Sequence, residues 1–213
     1  MIDFRGFISR DPLAEAAQDI LCTEEISYRM SLAEGAEKKN VTLVLLAGVP
    51  GSGKTTIFRK VIEKLKADKP FDHKLVRGTT NEKGDYVLGI YDGSTFQGTD
   101  RLSMGVQPDL IKFVQHLERQ GKPVTIFAEG DRVTNHSFIE KFKDQINLLV
   151  VETEHIDKYR KARGKFQPAR FKKAKRTEVD GLINRFDAQI VRNQDGHSNP
   201  DKIAKLICDY AKS

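Results

Sequence analysis

A short glycine-rich run carries the strongest chemical signal in this sequence. Gly48, Gly53, Lys54 and Thr55 have the spacing Gly-x4-Gly-Lys-Thr, a phosphate-binding loop (P-loop). Its glycines allow backbone N–H groups to point at a phosphate, the lysine reaches the outer phosphates of a nucleoside triphosphate, and the threonine hydroxyl ligates Mg²⁺. The pattern predicts an ATP and Mg²⁺ site with these cofactor-binding residues: Gly48, Pro50, Gly51, Ser52, Gly53, Lys54, Thr55 and Thr56.

Two carboxylates follow a second apolar run, Val124 to Ala128. Glu129 ends this run, where a carboxylate can hold water on a magnesium ion or orient the attacking group. Asp131 is its alternative, although it can instead cap the next helix. The predicted metal-binding residues are therefore Thr55, Glu129 and Asp131.

The loop between residues 92 and 107 carries groups that suit an acceptor hydroxyl. A kinase needs a carboxylate there to take the hydroxyl proton and to aim the oxygen at the γ-phosphorus. Asp100 is the candidate base, Asp92 is the alternative, and a structural turn role is open for both. Arg101 is placed to hold an acceptor phosphate, and Asp92, Arg101 and Arg132 are assigned to substrate binding.

Positive charge is concentrated between His155 and Arg176. This segment has ten lysines and arginines and one acid, Asp157, whereas the whole chain has a net charge of only +6. Arg160 and Arg163 would act as a lid that stabilises charge on the phosphates. A nucleic-acid docking surface is the compatible second interpretation, and a solvated helix face is the third. The docking residues would be Lys172, Lys173, Lys175 and Arg176.

Strand-like and helix-like runs alternate from residue 41 onwards. An almost wholly apolar run, Val41 to Ala47, precedes the P-loop, and helical spacing follows it. The pattern predicts an α/β fold with a doubly wound, mostly parallel five-stranded sheet. In such folds ligands gather at the carboxyl ends of the strands, which selects the loops 48–55, 92–107, 129–135 and 193–199. The predicted domains are an N-terminal helical extension (1–40) and a kinase-like domain (41–213) with a helical basic lid at about 153–180.

Composition excludes several other classes of protein. The chain is 38% hydrophobic and 31% charged, and no apolar run approaches the roughly 20 residues of a membrane span. We expect no membrane association and, because Met1 to Arg5 lacks a secretory pattern, a cytoplasmic location. The histidines have no metal-ligand spacing. Cys22 and Cys208 are too far apart in sequence to suggest a zinc knuckle.

These motifs together resemble the P-loop kinases that include nucleotide kinases, polynucleotide 5′-kinases and zeta-type toxin kinases. The resemblance covers about residues 41–213. It implies an ATP-dependent phosphotransferase whose catalytic residues are Lys54, Asp100, Arg160 and Arg163. Three further motifs are similar to phage kinases that phosphorylate 5-hydroxymethyluracil in DNA: Gly98 to Met104, Ala128 to Arg132, and Arg160 to Gln167.

Three functions are consistent with the sequence. The first is a kinase for a hydroxyl on nucleic acid, most specifically the 5-hydroxymethyl group of 5-hydroxymethyluracil in phage DNA, with DNA and other DNA-modifying enzymes as partners. It would work in the host cytoplasm if it is phage-encoded. The second is a kinase for a nucleotide, a polynucleotide 5′-hydroxyl or another small molecule. The third is a P-loop ATPase module that transfers no phosphate to an acceptor.

Overall fold

The structure is a computed structural model that describes residues 39–94, 97–154, 156, 168–193 and 200–210. The chain divides into two units after residue 38, and every described residue belongs to the second unit, residues 39–213. The helical extension predicted for residues 1–40 therefore lies almost wholly outside the described residues, as does the first part of the predicted basic lid.

One seven-stranded sheet, in the order β2-β3-β4-β5-β1-β6-β7, forms the centre of the described unit. Strands β4, β5, β1, β6 and β7 pair in parallel, whereas β2, β3 and β4 pair antiparallel. The strands are β1 (Val41–Ala47), β2 (Lys69–His73), β3 (Val76–Thr80), β4 (Tyr86–Leu88), β5 (Val124–Glu129), β6 (Ile146–Glu152) and β7 (Gln189–Arg192).

Helices connect the parallel strands. Two short 3₁₀ turns, Thr99–Arg101 and Lys143–Gln145, also interrupt the connections. Among the described residues the α-helices are α1 (Lys54–Leu65), α2 (Gln107–Gln120), α3 (His136–Lys141), α4 (Ala169–Phe186) and α5 (Pro200–Asp209). The predicted α/β class and mostly parallel sheet are confirmed.

Helices cover both faces of the sheet. Alternate residues of β1 point to opposite sides and therefore pack against different helices. Leu43 and Leu45 belong to a core cluster that includes side chains of α2, α3 and α4. Val44 and Leu46 belong to a second cluster, which includes side chains of α1 and α5. The central strand is therefore buried on both sides, which explains its continuous apolar sequence.

The prediction of five strands was wrong, because the structure adds an antiparallel extension to the parallel strands. Strand β2, Lys69–His73, was not predicted from the sequence. It lies at the edge of the sheet, and Lys69, Pro70 and Asp72 are exposed, so it shows no apolar run. The following strand begins at Val76, because Lys74 lies in a turn with φ 57°.

The later part of the predicted lid is a helix whose second half packs against the domain core. Residues 169–180 are the first two-thirds of α4, which leads from β6 to β7. Val179 and Leu182 are buried in the same cluster as α2 and α3. Within the described residues, no helix is both long enough and apolar enough to cross a membrane.

A glycine in β3 provides a test of how closely the antiparallel strands pack. A Cβ atom on Gly78 would overlap the carbonyl oxygen of Val87 and would lie 2.9 Å from a ring carbon of Phe71. We expect Gly78→Ala to lower the free energy of unfolding by about 1–3 kcal/mol, because the strands must move apart.

Thermal and urea unfolding followed by circular dichroism would measure this effect. Gly105→Ala is the matched control, because the nearest atom to its Cβ would be 3.9 Å away. It should change stability by less than about 0.5 kcal/mol. Equal effects of the two substitutions would contradict the packing of β3 against β4.

Candidate active site

The P-loop joins β1 to α1, and a residue that follows the edge strand β7 holds it by a hydrogen bond. The Lys54 ammonium donates hydrogen bonds to the carbonyl oxygens of Gly48 (2.6 Å) and Val49 (3.3 Å), so it lies across the loop. The Asn193 side chain, which follows β7, donates to the carbonyl oxygen of Ser52 at 3.0 Å. Gly53 has φ 97°, and a Cβ there would overlap the Asn193 amide. Only glycine fits at this position.

Glu129 and Thr55 meet beside the loop. The Thr55 hydroxyl donates to Glu129 Oε1 at 3.2 Å, and the Glu129 residue is only 4% exposed. The backbone N–H of Gly130 donates to Leu46 O, which fixes the end of β5 against β1. A hydroxyl beside a carboxylate is an oxygen donor set that suits a hard cation such as Mg²⁺.

The described residues contain no group of three or more histidine, cysteine, aspartate or glutamate side chains that could hold a metal by themselves. Mg²⁺ commonly keeps several waters and is held by one or two protein groups together with substrate phosphates. Thr55 and Glu129 therefore fit a magnesium ion that arrives with a polyphosphate.

A short turn carries Asp100 to the same cleft. The buried Thr99 hydroxyl donates to the Glu129 carbonyl oxygen at 2.5 Å, and this bond ties the turn Thr99–Arg101 to the end of β5. Gly98 precedes the turn with φ 72°, and a Cβ there would overlap the Glu129 carboxylate. Asp100 itself is exposed and lines the cleft together with Lys54.

The alternative base, Asp92, is engaged elsewhere. Its carboxylate forms an ion pair with Arg101 (Oδ2 to Nη1, 3.1 Å) and accepts the backbone N–H of Ser94 at 3.0 Å. Hydrogen bonds from Ser94, together with the Arg101 charge, lower the pKa of the Asp92 carboxyl below its ordinary value. Asp92 and Arg101, both predicted to bind substrate, thus neutralise one another, and neither lines the cleft that contains Asp100.

Asp131, the alternative metal ligand, lines the cleft and pairs with Lys175 of α4. The Lys175 side chain is 19% exposed, and its ammonium also binds Glu178 at 2.7 Å. Burial lowers the pKa of Lys175, but hydrogen bonds to Asp131 and Glu178 outweigh burial and raise the pKa above its ordinary value. The two predicted metal carboxylates therefore differ, because Glu129 faces the Thr55 hydroxyl and Asp131 faces a cation.

The remaining predicted residues lie at several places. Arg176 pairs with Glu152 (3.3 Å) and with Asp180 (3.0 Å), whereas Lys173 is exposed. Lys172 is half-buried and Thr56 is exposed.

The Arg132 Nε is buried with no hydrogen-bond partner among the described residues. Arg160 and Arg163 lie outside the described residues, so their role as a lid stays a prediction.

Sequence reasoning missed Tyr91. Its ring stacks on Phe58 with the centroids 6.3 Å apart, and its hydroxyl is buried with no partner in the described part of the chain. Burial, and then the charges of Glu129 and Asp100, raise the pKa of Tyr91 well above its ordinary value. Tyr91 ends a strand-like stretch directly before the loop 92–107, and this position was the signal in the sequence that it lies near the site.

A cavity of about 350 Å³ lies at the carboxyl ends of β6 and β7, on the same edge of the sheet as the P-loop. Its volume is within the range of small-molecule pockets. Asn193, which holds the P-loop, directly follows β7, so the cavity and the loop share a neighbour. It is lined by Glu152, Thr153, Glu154, Arg176 and Arg192.

A scan against models of known protein families finds no match to this chain, and a search of curated proteins finds no significantly similar sequence.

The ion pair between α4 and the cleft is open to a direct test. Lys175→Met removes the ammonium that Asp131 and Glu178 share. We expect this substitution to lower the free energy of unfolding by about 1 kcal/mol at neutral pH. Lys173→Met is the control, because that side chain is exposed, and it should change stability by less than about 0.5 kcal/mol.

The pH dependence of the same variant provides a second measurement. Because folding raises the pKa of Lys175 above its ordinary value of 10.5, its contribution is complete below that pH and is lost as the pH rises through the raised value. Urea unfolding should therefore show a difference between wild type and Lys175→Met at neutral pH that shrinks in strong alkali. A difference that stays constant would contradict the ion pair.

Proposed function

We propose that this protein is an ATP- and Mg²⁺-dependent kinase that transfers the γ-phosphate to a hydroxyl of a nucleic-acid substrate. The observation that carries the proposal is the convergence of Lys54, Thr55, Glu129 and Asp100 on one cleft at the carboxyl edge of the sheet. A phosphate-binding loop serves many functions. A carboxylate exposed next to that loop is what phosphoryl transfer to an alcohol additionally requires.

The P-loop binds and orients the triphosphate. Backbone N–H groups near Gly51 and Gly53 and the first turn of α1 contact the phosphates, and Lys54 exchanges its loop carbonyls for phosphate oxygens. Thr55 and Glu129 would hold Mg²⁺, which would neutralise charge on the phosphate oxygens. The cavity at the carboxyl ends of β6 and β7 is large enough to admit the nucleoside part of ATP.

Asp100 receives the acceptor. Its carboxylate accepts a hydrogen bond from the acceptor hydroxyl, and the hydroxyl oxygen attacks the γ-phosphorus in line with the leaving group. A new O–P bond forms, the bond from the γ-phosphorus to the β,γ-bridging oxygen breaks, and ADP leaves with that electron pair. The hydroxyl proton passes to Asp100 and then to solvent. By the resemblance to P-loop kinases, Arg160 and Arg163 stabilise the charge that develops.

The charge of the lid region supports a nucleic-acid acceptor. The first turn of α4 contains no acid, and its early residues include Arg170, Lys172 and Lys173. Cations at the positive end of a helix destabilise it by about 0.3–1 kcal/mol each. The phosphates of a bound nucleic acid would neutralise these cations and remove that cost. The motifs similar to those of phage hydroxymethyluracil kinases make the 5-hydroxymethyl group of 5-hydroxymethyluracil in DNA our specific choice.

One observation favours the second candidate, a kinase for a nucleotide, a polynucleotide 5′-hydroxyl or another small molecule. Lys175 and Arg176, two of the four predicted docking cations, bind carboxylates of the protein itself. Fewer cations are then available to neutralise a long strand of phosphates, and a small anionic acceptor would need no more of them.

The two candidates are separated by a transfer assay with ATP labelled at the γ-phosphate. The parallel acceptors are DNA that contains 5-hydroxymethyluracil, plain DNA with 5′-hydroxyl ends, and free nucleosides and nucleotides. We expect label on the hydroxymethyluracil DNA. Label only on the 5′-ends or on the free nucleosides and nucleotides would establish the second candidate, and ATP hydrolysis with no labelled acceptor would contradict both.

The role of Asp100 is tested by comparing two isosteric substitutions. Asp100→Asn should lower kcat by at least about 10²-fold while ATP binding is kept, because the amide cannot take the hydroxyl proton. Asp92→Asn should retain most of the activity, because Asp92 pairs with Arg101 and does not line the cleft. The opposite result would assign the base to Asp92.

A further inference from the structure

An aromatic side chain at the start of α4 is exposed to solvent. Phe171 is 40% exposed, and the described residues include three other large apolar side chains that are comparably or more exposed: Leu75, Met104 and Ile190. Of these four, Phe171 alone is aromatic. An exposed phenyl ring loses part of the free energy that burial of the ring contributes to folding. The stability of the fold therefore does not explain why a phenylalanine occupies this position.

The position of Phe171 on α4 links it to the candidate active site. Helix α4 ends just before β7, which runs parallel to β6 and β1, so the opposite end of the helix lies towards the carboxyl edge of the sheet, where the P-loop is. Phe171 precedes Lys175 by four residues, and residues at this spacing are neighbours on one helix face. Lys175 binds Asp131, which lines the cleft. Phe171 is therefore one helical turn before a residue whose side chain reaches the cleft wall.

The first turn of α4, which contains Phe171, is rich in positive charge. Arg170 and Lys173 are exposed in this turn, and the sequence from 169 to 177 contains no acid. An aromatic face among cations matches the two repeating parts of a nucleic-acid strand, the base and the phosphate. Leu75 and Ile190 have similar exposures, but neither has a ring on which a base can stack.

We propose that Phe171 is a base-stacking residue for a nucleic-acid strand, and that Arg170 and Lys173, which are exposed in the same helical turn, bind phosphates of that strand. The proposal rests on the proposed function and specifies its substrate class. In a closed duplex each base is stacked between its neighbours, so a base that stacks on Phe171 is unpaired. The protein therefore prefers a single strand, or a strand with a displaced base, over a closed duplex.

Binding of fluorescent oligonucleotides tests this inference without the transfer reaction. The two probes are a short oligothymidylate and an abasic oligonucleotide with the same number of phosphates. Wild type should bind the oligothymidylate more tightly, and Phe171→Ala should weaken that binding about tenfold while leaving the abasic probe unaffected. Phe171→Tyr should bind as wild type does, because the ring is retained.

Leu75→Ala is the matched control, since Leu75 is 42% exposed and lies in the turn between β2 and β3. It should leave binding of both probes unchanged. Arg170→Ala and Lys173→Ala should instead weaken both probes to the same extent and reduce the salt dependence of binding. Equal binding of the two probes by wild type, or an equal loss of both in Phe171→Ala, would overturn the stacking role.

The transfer assay separates this inference from the proposed function. If Phe171 discriminates between the two probes but no nucleic acid is phosphorylated, the stacking residue stands and the proposed kinase function fails. If nucleic acid is phosphorylated but Phe171→Ala binds both probes as wild type does, the proposed function stands and the stacking role is wrong.

Discussion

The buried carboxylate of Glu129 holds the parts of the candidate site in register. A charge removed from water is costly unless other groups satisfy it, and here one oxygen accepts the hydroxyl of Thr55 at the start of α1. The carbonyl group of the same residue accepts the hydroxyl of Thr99, which fixes the turn that carries Asp100. Gly98 leaves the space that the carboxylate fills. The start of α1 and the turn that carries Asp100 are thus joined through one residue.

The sequence alone predicts the parts of this arrangement that depend on neighbouring residues. A continuous apolar run identified β1, the glycine spacing identified the loop after it, and the end of another apolar run identified Glu129. The choice between Asp100 and Asp92 could not be made in this way. Both occur on one loop, and only the fold shows that Asp92 pairs with Arg101 while Asp100 lines the cleft.

Contacts between distant parts of the chain were beyond the reach of sequence patterns. The bond from Asn193 to Ser52 joins residues 141 positions apart, and neither residue type suggests it. The same holds for Lys175, whose positive charge suggested an external phosphate but whose partners include Asp131 and Glu178. Local patterns record which side chains are charged, whereas the packing of α4 against the sheet decides what those charges meet.

Strand β2 has a further consequence for the behaviour of the protein in solution. As an edge strand it presents unpaired backbone groups that could join a second sheet and start aggregation. Pro70 removes one backbone donor from this edge, and the exposed charges of Lys69 and Asp72 oppose the approach of another strand. The proline and the exposed charges leave β2 without an apolar run. The same residues protect the open edge of the sheet from self-association.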